Sequence, residues 1–168
     1  WKFALENINE KFKSSFHNIS DEQQVLRAIR IYKNQSNFVI SMSELLGLMS
    51  IEESCRILSL VAERAIVQTT SYLLRQAGIK STVRCGWTIL AMGKLGAGEL
   101  NYSSDLDLIS LHSPNAINSD KQFIELCKRL VYLLSTKTKD GNGWRIDMRL
   151  RPNPVSYTHL RAHETVED

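Results

Sequence analysis

The spacing of apolar residues changes at Trp87, and that change divides the chain into two kinds of structure. Before it, Trp1, Leu5, Ile8, Phe12 and Phe16 recur at helical intervals with Lys and Glu between them. Ser20-Asp21-Glu22-Gln23 has the form of a capping box, with Ser20 as N-cap, and Val25, Leu26, Ile29 and Tyr32 continue an apolar stripe. A second box, Ser50-Ile51-Glu52-Glu53, opens a long helix whose stripe runs through Cys55, Leu58, Val61, Ala65 and Leu73, with Gly78 as its stop. After Trp87 the runs shorten. Thr88 to Met92 is a short apolar run followed by Gly93, Gly96 and Gly98, which predicts a strand and a tight turn. Tyr102 to His112 reads as a second strand, Pro114 to Ser119 as a loop and Asp120 to Thr136 as an amphipathic helix. Lys139 to Gly143 is a turn, and Trp144 to Leu150 alternates as a third strand, ended by Pro152 and Pro154. The expected fold class is α+β: a helical region over 1–80, then a small mixed sheet with helices over 81–154.

Composition removes several classes. A chain of 168 residues, 43% hydrophobic and 23% charged, suffices for a packed core and is neither disordered nor collagen-like. No stretch approaches the ~20 apolar residues of a membrane span. Cys55, Cys85 and Cys127 are odd in number, far apart and without a CxxC pair, which argues against a disulfide framework or zinc finger and for a reducing, cytoplasmic setting. Cys85 reads as a small buried hydrophobe, His112 as a polar strand end, and Arg84, Lys128 and Arg129 as solvated faces. The net charge of +3 is mild and lacks a basic stripe, so no nucleic-acid partner and no membrane partner is expected.

The chemistry concentrates in Asp105-Leu106-Asp107-Leu108-Ile109. Acids two apart on a strand share a face while Leu106 and Leu108 take the other. Side-by-side carboxylates repel unless a cation lies between them, and a divalent metal such as Mg²⁺ is the usual resolution. An isolated pair also fits a merely solvated strand face. Asp147 adds a third acid, on the opposite face to Ile146 and Met148 and among Arg145, Arg149 and Arg151; a plain salt-bridge ladder fits there too. If the two strands are neighbours, three carboxylates converge and can hold two ions for an in-line phosphoryl or nucleotidyl displacement. Gly93-Lys94-Leu95-Gly96-Ala97-Gly98 fits neither a Walker A nor a G-x-G-x-x-G pattern; taken alone it reads better as a structural turn, though its backbone N–H groups can cradle phosphates, with Lys94 as a point charge.

The run from Ala91 through Gly93-Lys94-Leu95-Gly96-Ala97-Gly98 and Ser103-Ser104-Asp105-Leu106-Asp107 to Ile109 resembles the signature of the glutamine synthetase adenylyltransferase/adenylyl-removing enzyme family. Arg145-Ile146-Asp147-Met148-Arg149-Leu150-Arg151-Pro152 is similar to that family's second block, and the resemblance covers about residues 24 to 154. It implies a nucleotidyltransferase-like fold in a bacterial enzyme of nitrogen regulation with two homologous halves. It implies catalytic and metal-binding roles for Asp105, Asp107 and Asp147, with two Mg²⁺ ions, and nucleotide-phosphate contacts at Gly93, Lys94, Ser103, Ser104 and Arg149. ATP or ADP would be substrate or product. Glutamine synthetase would be the partner, with a nitrogen-signal regulatory protein and glutamine acting through regions outside this chain. The superfamily's usual Gly-Ser pair is Gly93-Lys94 here. Met92, Leu100-Asn101-Tyr102 and Asp147-Met148-Arg149 resemble the half that removes AMP by phosphorolysis; Asp105-Leu106-Asp107 and Ser135-Thr136-Lys137-Thr138 lean to the half that transfers AMP from ATP. The expected function is removal of AMP from adenylylated glutamine synthetase. The alternatives are the ATP-dependent adenylylation and a non-catalytic binding or regulatory module of the same fold. Residues 155–168, including His159 and His163, read as a non-native tail.

Overall fold

The computed structural model describes residues 1–17, 19, 21–79, 86–112, 120–150 and 158–161. Three helices come first: α1 (Lys2–Ser15), α2 (Glu22–Leu45) and α3 (Ile51–Gln76). Then follow β1 (Trp87–Ala91), the short α4 (Gly93–Ala97), β2 (Leu106–His112), α5 (Asp120–Ser135), β3 (Ile146–Leu150) and β4 (Thr158–Arg161). The α+β class is as the sequence predicts. The sheet order is β1-β2-β3-β4, with β1 and β4 antiparallel to their neighbours and β2 parallel to β3. A parallel pair needs a crossover, which α5 supplies.

Helix α5 is the hub of the core. Its Phe123, Leu126, Cys127, Leu130, Val131, Leu133 and Leu134 are buried. They pack between the helical layer and the sheet face that carries Leu106, Leu108, Ile146 and Met148. Burying each such side chain contributes ~1.5–3 kcal/mol, so this sandwich fixes which sheet face is core and which is left to solvent. The buried polar atoms beneath the sheet are partnered: Trp87 Nε1 donates to Ser110 Oγ at 2.8 Å, and Ser110 Oγ meets Cys127 Sγ at 3.2 Å. Burial pushes the Cys127 thiol up to about 12, which keeps it protonated at neutral pH.

The helical layer also grips the segment leading into β3. Arg30 of α2 is fully buried; its Nε donates to Thr136 O at 2.8 Å and its Nη2 to Leu133 O at 3.0 Å and to Thr136 O. These are carbonyls at the end of α5 that the helix itself leaves unpaired. Lys33 Nζ donates to Gly143 O at 2.6 Å and lies over the Trp144 ring, and Asn34 Nδ2 donates to Asp140 O at 2.9 Å. Arg129, expected on a solvated face, instead donates from Nε to Glu22 Oε1 at 3.0 Å and ties α5 to the first turn of α2.

Several boundaries differ from expectation for local reasons. The N-cap of α2 is Asp21, whose carboxylate accepts from Gln23 N–H at 3.2 Å; Ser20 lies outside the described residues. Ser50 caps α3 as expected, accepting from Glu53 N–H at 3.2 Å, and Gly78 (φ +74°) stops it. Tyr102 to Asp105 is not strand, because Asn101 pulls it into a turn. The expected Pro114–Ser119 loop, Arg84, Cys85, His163 and the two prolines after β3 fall outside the described residues, as do the side chains of Arg149 and His159. The segment set aside as a tail places the backbone of Thr158–Arg161 against β3, with Asp147 opposite Arg161. The outer edge of β3 presents backbone N–H and C=O groups to which any proline-free extended segment can pair.

Arg30→Met keeps an apolar stem but removes the donors to the end of α5. It is expected to cost at least ~2 kcal/mol in urea unfolding, since buried carbonyls then lose their partners. An unchanged unfolding midpoint would contradict this role.

Candidate functional site

The parallel register of β2 and β3 builds the site. Leu106 pairs with Ile146, Asp107 with Asp147 and Leu108 with Met148. The leucines, Ile146 and Met148 are buried in the core. Alternation therefore puts Asp107 and Asp147 side by side on the opposite face. One step before each strand stand Asp105 and Arg145, joined across the strands by Leu106 N–H donating to Arg145 O at 2.8 Å.

A cleft of about 430 Å³ opens here, lined by Gly93, Lys94, Asn101, Ser103, Ser104, Asp105, Asp107 and Arg145. Six of these eight are residues singled out from the sequence. Asp147 stands beside Asp107 in the register without lining the cleft, and Arg149 holds the register position opposite Ile109. A larger groove of about 860 Å³ runs between α3 and the β1–α4 corner, but its walls include Leu60, Ile66, Val67, Leu74 and Leu95 and none of the three acids.

The glycine segment is helical rather than an open turn. It forms the single-turn helix α4, anchored where Met92 N–H donates to Asp107 O at 2.8 Å and by buried Leu95. Its first residue, Gly93, has φ +52°, and a Cβ there would overlap Asp107 Oδ2. The hydrogen of Gly93 leaves the notch in which the Asp107 carboxylate lies.

The opposite lip is organised by Asn101, which sequence reading missed as a site residue. Its Oδ1 accepts from Ser103 N–H at 3.1 Å, Ser103 Oγ at 3.2 Å and Ser104 Oγ at 2.8 Å, while Ser104 Oγ accepts from Asn101 N–H at 3.1 Å. Both serine hydroxyls thus spend their protons on the loop, and a phosphate would have to displace Asn101 to gain them. The available signal was Asn followed two and three residues later by Ser, the pattern of an Asx turn. Tyr102, between them, donates to Glu44 Oε2 at 3.3 Å; burial and Glu44 push its phenol up to about 12.

The three carboxylates do not converge. Among the described residues no three His, Cys, Asp or Glu side chains gather closely enough to hold a metal ion. Asp105 is engaged by Arg145, whose Nε lies 2.5 Å from its Oδ1. A pair remains in register. Mg²⁺ is often held by one or two carboxylates with substrate phosphates completing its shell, so the hard oxygen donors of Asp107 and Asp147 fit it.

A family model described as glutamate-ammonia ligase adenylyltransferase matches residues 2–167. Sequence reading ends the resemblance at Pro154; this match carries on past it. The chain is 35% identical to the bifunctional glutamine synthetase adenylyltransferase/adenylyl-removing enzyme of Bradyrhizobium sp. (strain BTAi1), over 82% of this chain and 16% of that protein. It is 36% identical to the protein of the same name from Bartonella henselae, over 80% and 16%, and 32% identical to that from Psychromonas ingrahamii, over 97% and 19%. The chain thus spans less than one-fifth of the length of these relatives.

Gly93→Ala and Gly98→Ala separate backbone strain from close approach. Both glycines have positive φ, but a Cβ at Gly98 meets nothing within 4 Å. Each substitution is expected to cost ~1–2 kcal/mol, the left-handed penalty. Only Gly93→Ala should shift the Asp107 carboxyl ¹³C resonance, because only it forces that side chain to turn. An unmoved resonance would contradict the notch.

Proposed function

Because the chain belongs to the glutamate-ammonia ligase adenylyltransferase family, we propose that it carries a metal-dependent nucleotidyl-transfer site acting on glutamine synthetase, and that its reaction is removal of AMP from an adenylylated tyrosine by phosphorolysis. The observation that carries the reading is the register of Asp107 with Asp147 beside a cleft walled by Gly93 and Lys94. The direction rests on the likeness of Met92, Leu100-Asn101-Tyr102 and Asp147-Met148-Arg149 to the deadenylylating half.

In this reaction an oxygen of inorganic phosphate attacks the phosphorus of the tyrosyl-AMP. The bond to the tyrosine oxygen breaks, ADP forms, and the departing phenolate takes up a proton. Asp107 and Asp147, with Asp105 when it is released, would hold Mg²⁺, which supplies neutralisation of the charge on the attacking and leaving oxygens. Lys94, at the start of α4, offers a point charge to the incoming phosphate. Arg149, two residues beyond Asp147, is the second cation assigned to phosphate. The backbone at Gly93 fixes where the Asp107 carboxylate can lie. A nitrogen-signal regulatory protein and glutamine would act on the longer protein through its other regions, and the setting would be cytoplasmic. No described helix is long and apolar enough to cross a membrane.

The test uses the longer protein with either form of glutamine synthetase. Adenylylated glutamine synthetase, Mg²⁺ and phosphate should yield ADP at a rate that Asp107→Asn or Asp147→Asn in this segment lowers by at least ~100-fold, while AMP transfer from ATP persists. Loss of AMP transfer instead would reverse the assigned direction; loss of neither would favour the non-catalytic module.

Asp107→Asn also carries a stability prediction. Removing one of two neighbouring carboxylates relieves repulsion, so without metal the melting temperature should hold or rise. A clear fall would mean that Asp107 has a structural salt-bridge role.

A further inference from the structure

One row before the Asp107–Asp147 pair, the same parallel register sets Asp105 against Arg145. The guanidinium is held at two points: its Nε by Asp105 Oδ1 at 2.5 Å, and its Nη2 by Ser103 O, to which it donates at 2.8 Å. Both residues line the cleft. Arg145 therefore covers the carboxylate that a third metal ligand would need, and it does so from within the site.

We infer that Arg145 is a built-in counter-ion that competes with the divalent cation for Asp105 and so sets the metal affinity of the cleft. The inference rests on the reading of this cleft as a metal-dependent nucleotidyl-transfer site. Asp105 and Asp107 line one cleft, and the guanidinium offsets the charge of Asp105 in the metal-free chain. A metal ion that recruits Asp105 must first open this pair. Opening is cheap, because the side chains are 75% and 50% exposed and ion pairs in water are weak. The counter-ion is thus exchangeable, and once released it stays tethered beside β3 as a cation at the rim of the cleft, able to meet phosphate oxygens.

Lys94 provides the control, because it is a cation of the same cleft with no ion pair to Asp105. Mn²⁺ alone, titrated calorimetrically into wild type, Arg145→Gln and Lys94→Gln, reads the competition directly, with unfolding curves confirming that each variant folds. Arg145→Gln is expected to bind Mn²⁺ about two- to five-fold more tightly than wild type. That gain should shrink as added salt screens the pair in wild type. Lys94→Gln should gain clearly less. Unchanged or weaker binding in Arg145→Gln, or an equal gain in Lys94→Gln, would overturn the inference while leaving the site reading intact. Absence of Mn²⁺ binding in wild type would instead sink the site reading itself.

Discussion

Everything in the candidate site follows from how β2 and β3 run side by side. Two strands that are parallel and matched Asp107 to Asp147 place their acids in rows, and their buried residues in matching rows beneath. A shift of one residue in either strand would turn its acids into the core and its apolar residues to solvent. The buried set of Leu106, Leu108, Ile146 and Met148 thus guards the register as firmly as it fills the core. Apolar burial on the other side of the same backbone keeps Asp107 and Asp147 side by side against their preference for separation.

The helical region is part of that arrangement. Arg30, Lys33 and Asn34 on one stretch of α2 hold the end of α5 and the turn that feeds β3. Burial and the neighbouring Arg30 lower Lys33 to about 8, so its charged form is kept at some cost and is offset by the carbonyls of Asn142 and Gly143 and by the Trp144 face. The position of Asp147 is therefore set from both sides, by the sheet and by a helix more than one hundred residues earlier in the chain.

Local alternation made the acids legible, since Leu106 and Leu108 bracket Asp107 and Ile146 and Met148 bracket Asp147. The four longer helices were legible from their own apolar period, as were the cap at Ser50 and the stop at Gly78. The pairing of Asp105 with Arg145 was not, because it depends on which strands are neighbours and in what register. Nor was the Gly93 notch: the segment suggested a phosphate-cradling turn, while a backbone bond from Met92 to Asp107 folds it into one helical turn and brings Gly93 against the carboxylate. The serines were singled out for phosphate, yet Asn101 engages both hydroxyls, a competition that a residue list does not reveal.

Substoichiometric Mn²⁺ added to the ¹⁵N-labelled chain tests the central claim most directly, because paramagnetic broadening marks the backbone nearest the ion. The account predicts that the amide resonances of Gly93, Asp107 and Asp147 broaden first, ahead of those along the groove between α3 and β1. Broadening centred away from the β2–β3 rows, or spread evenly over the surface, would contradict it.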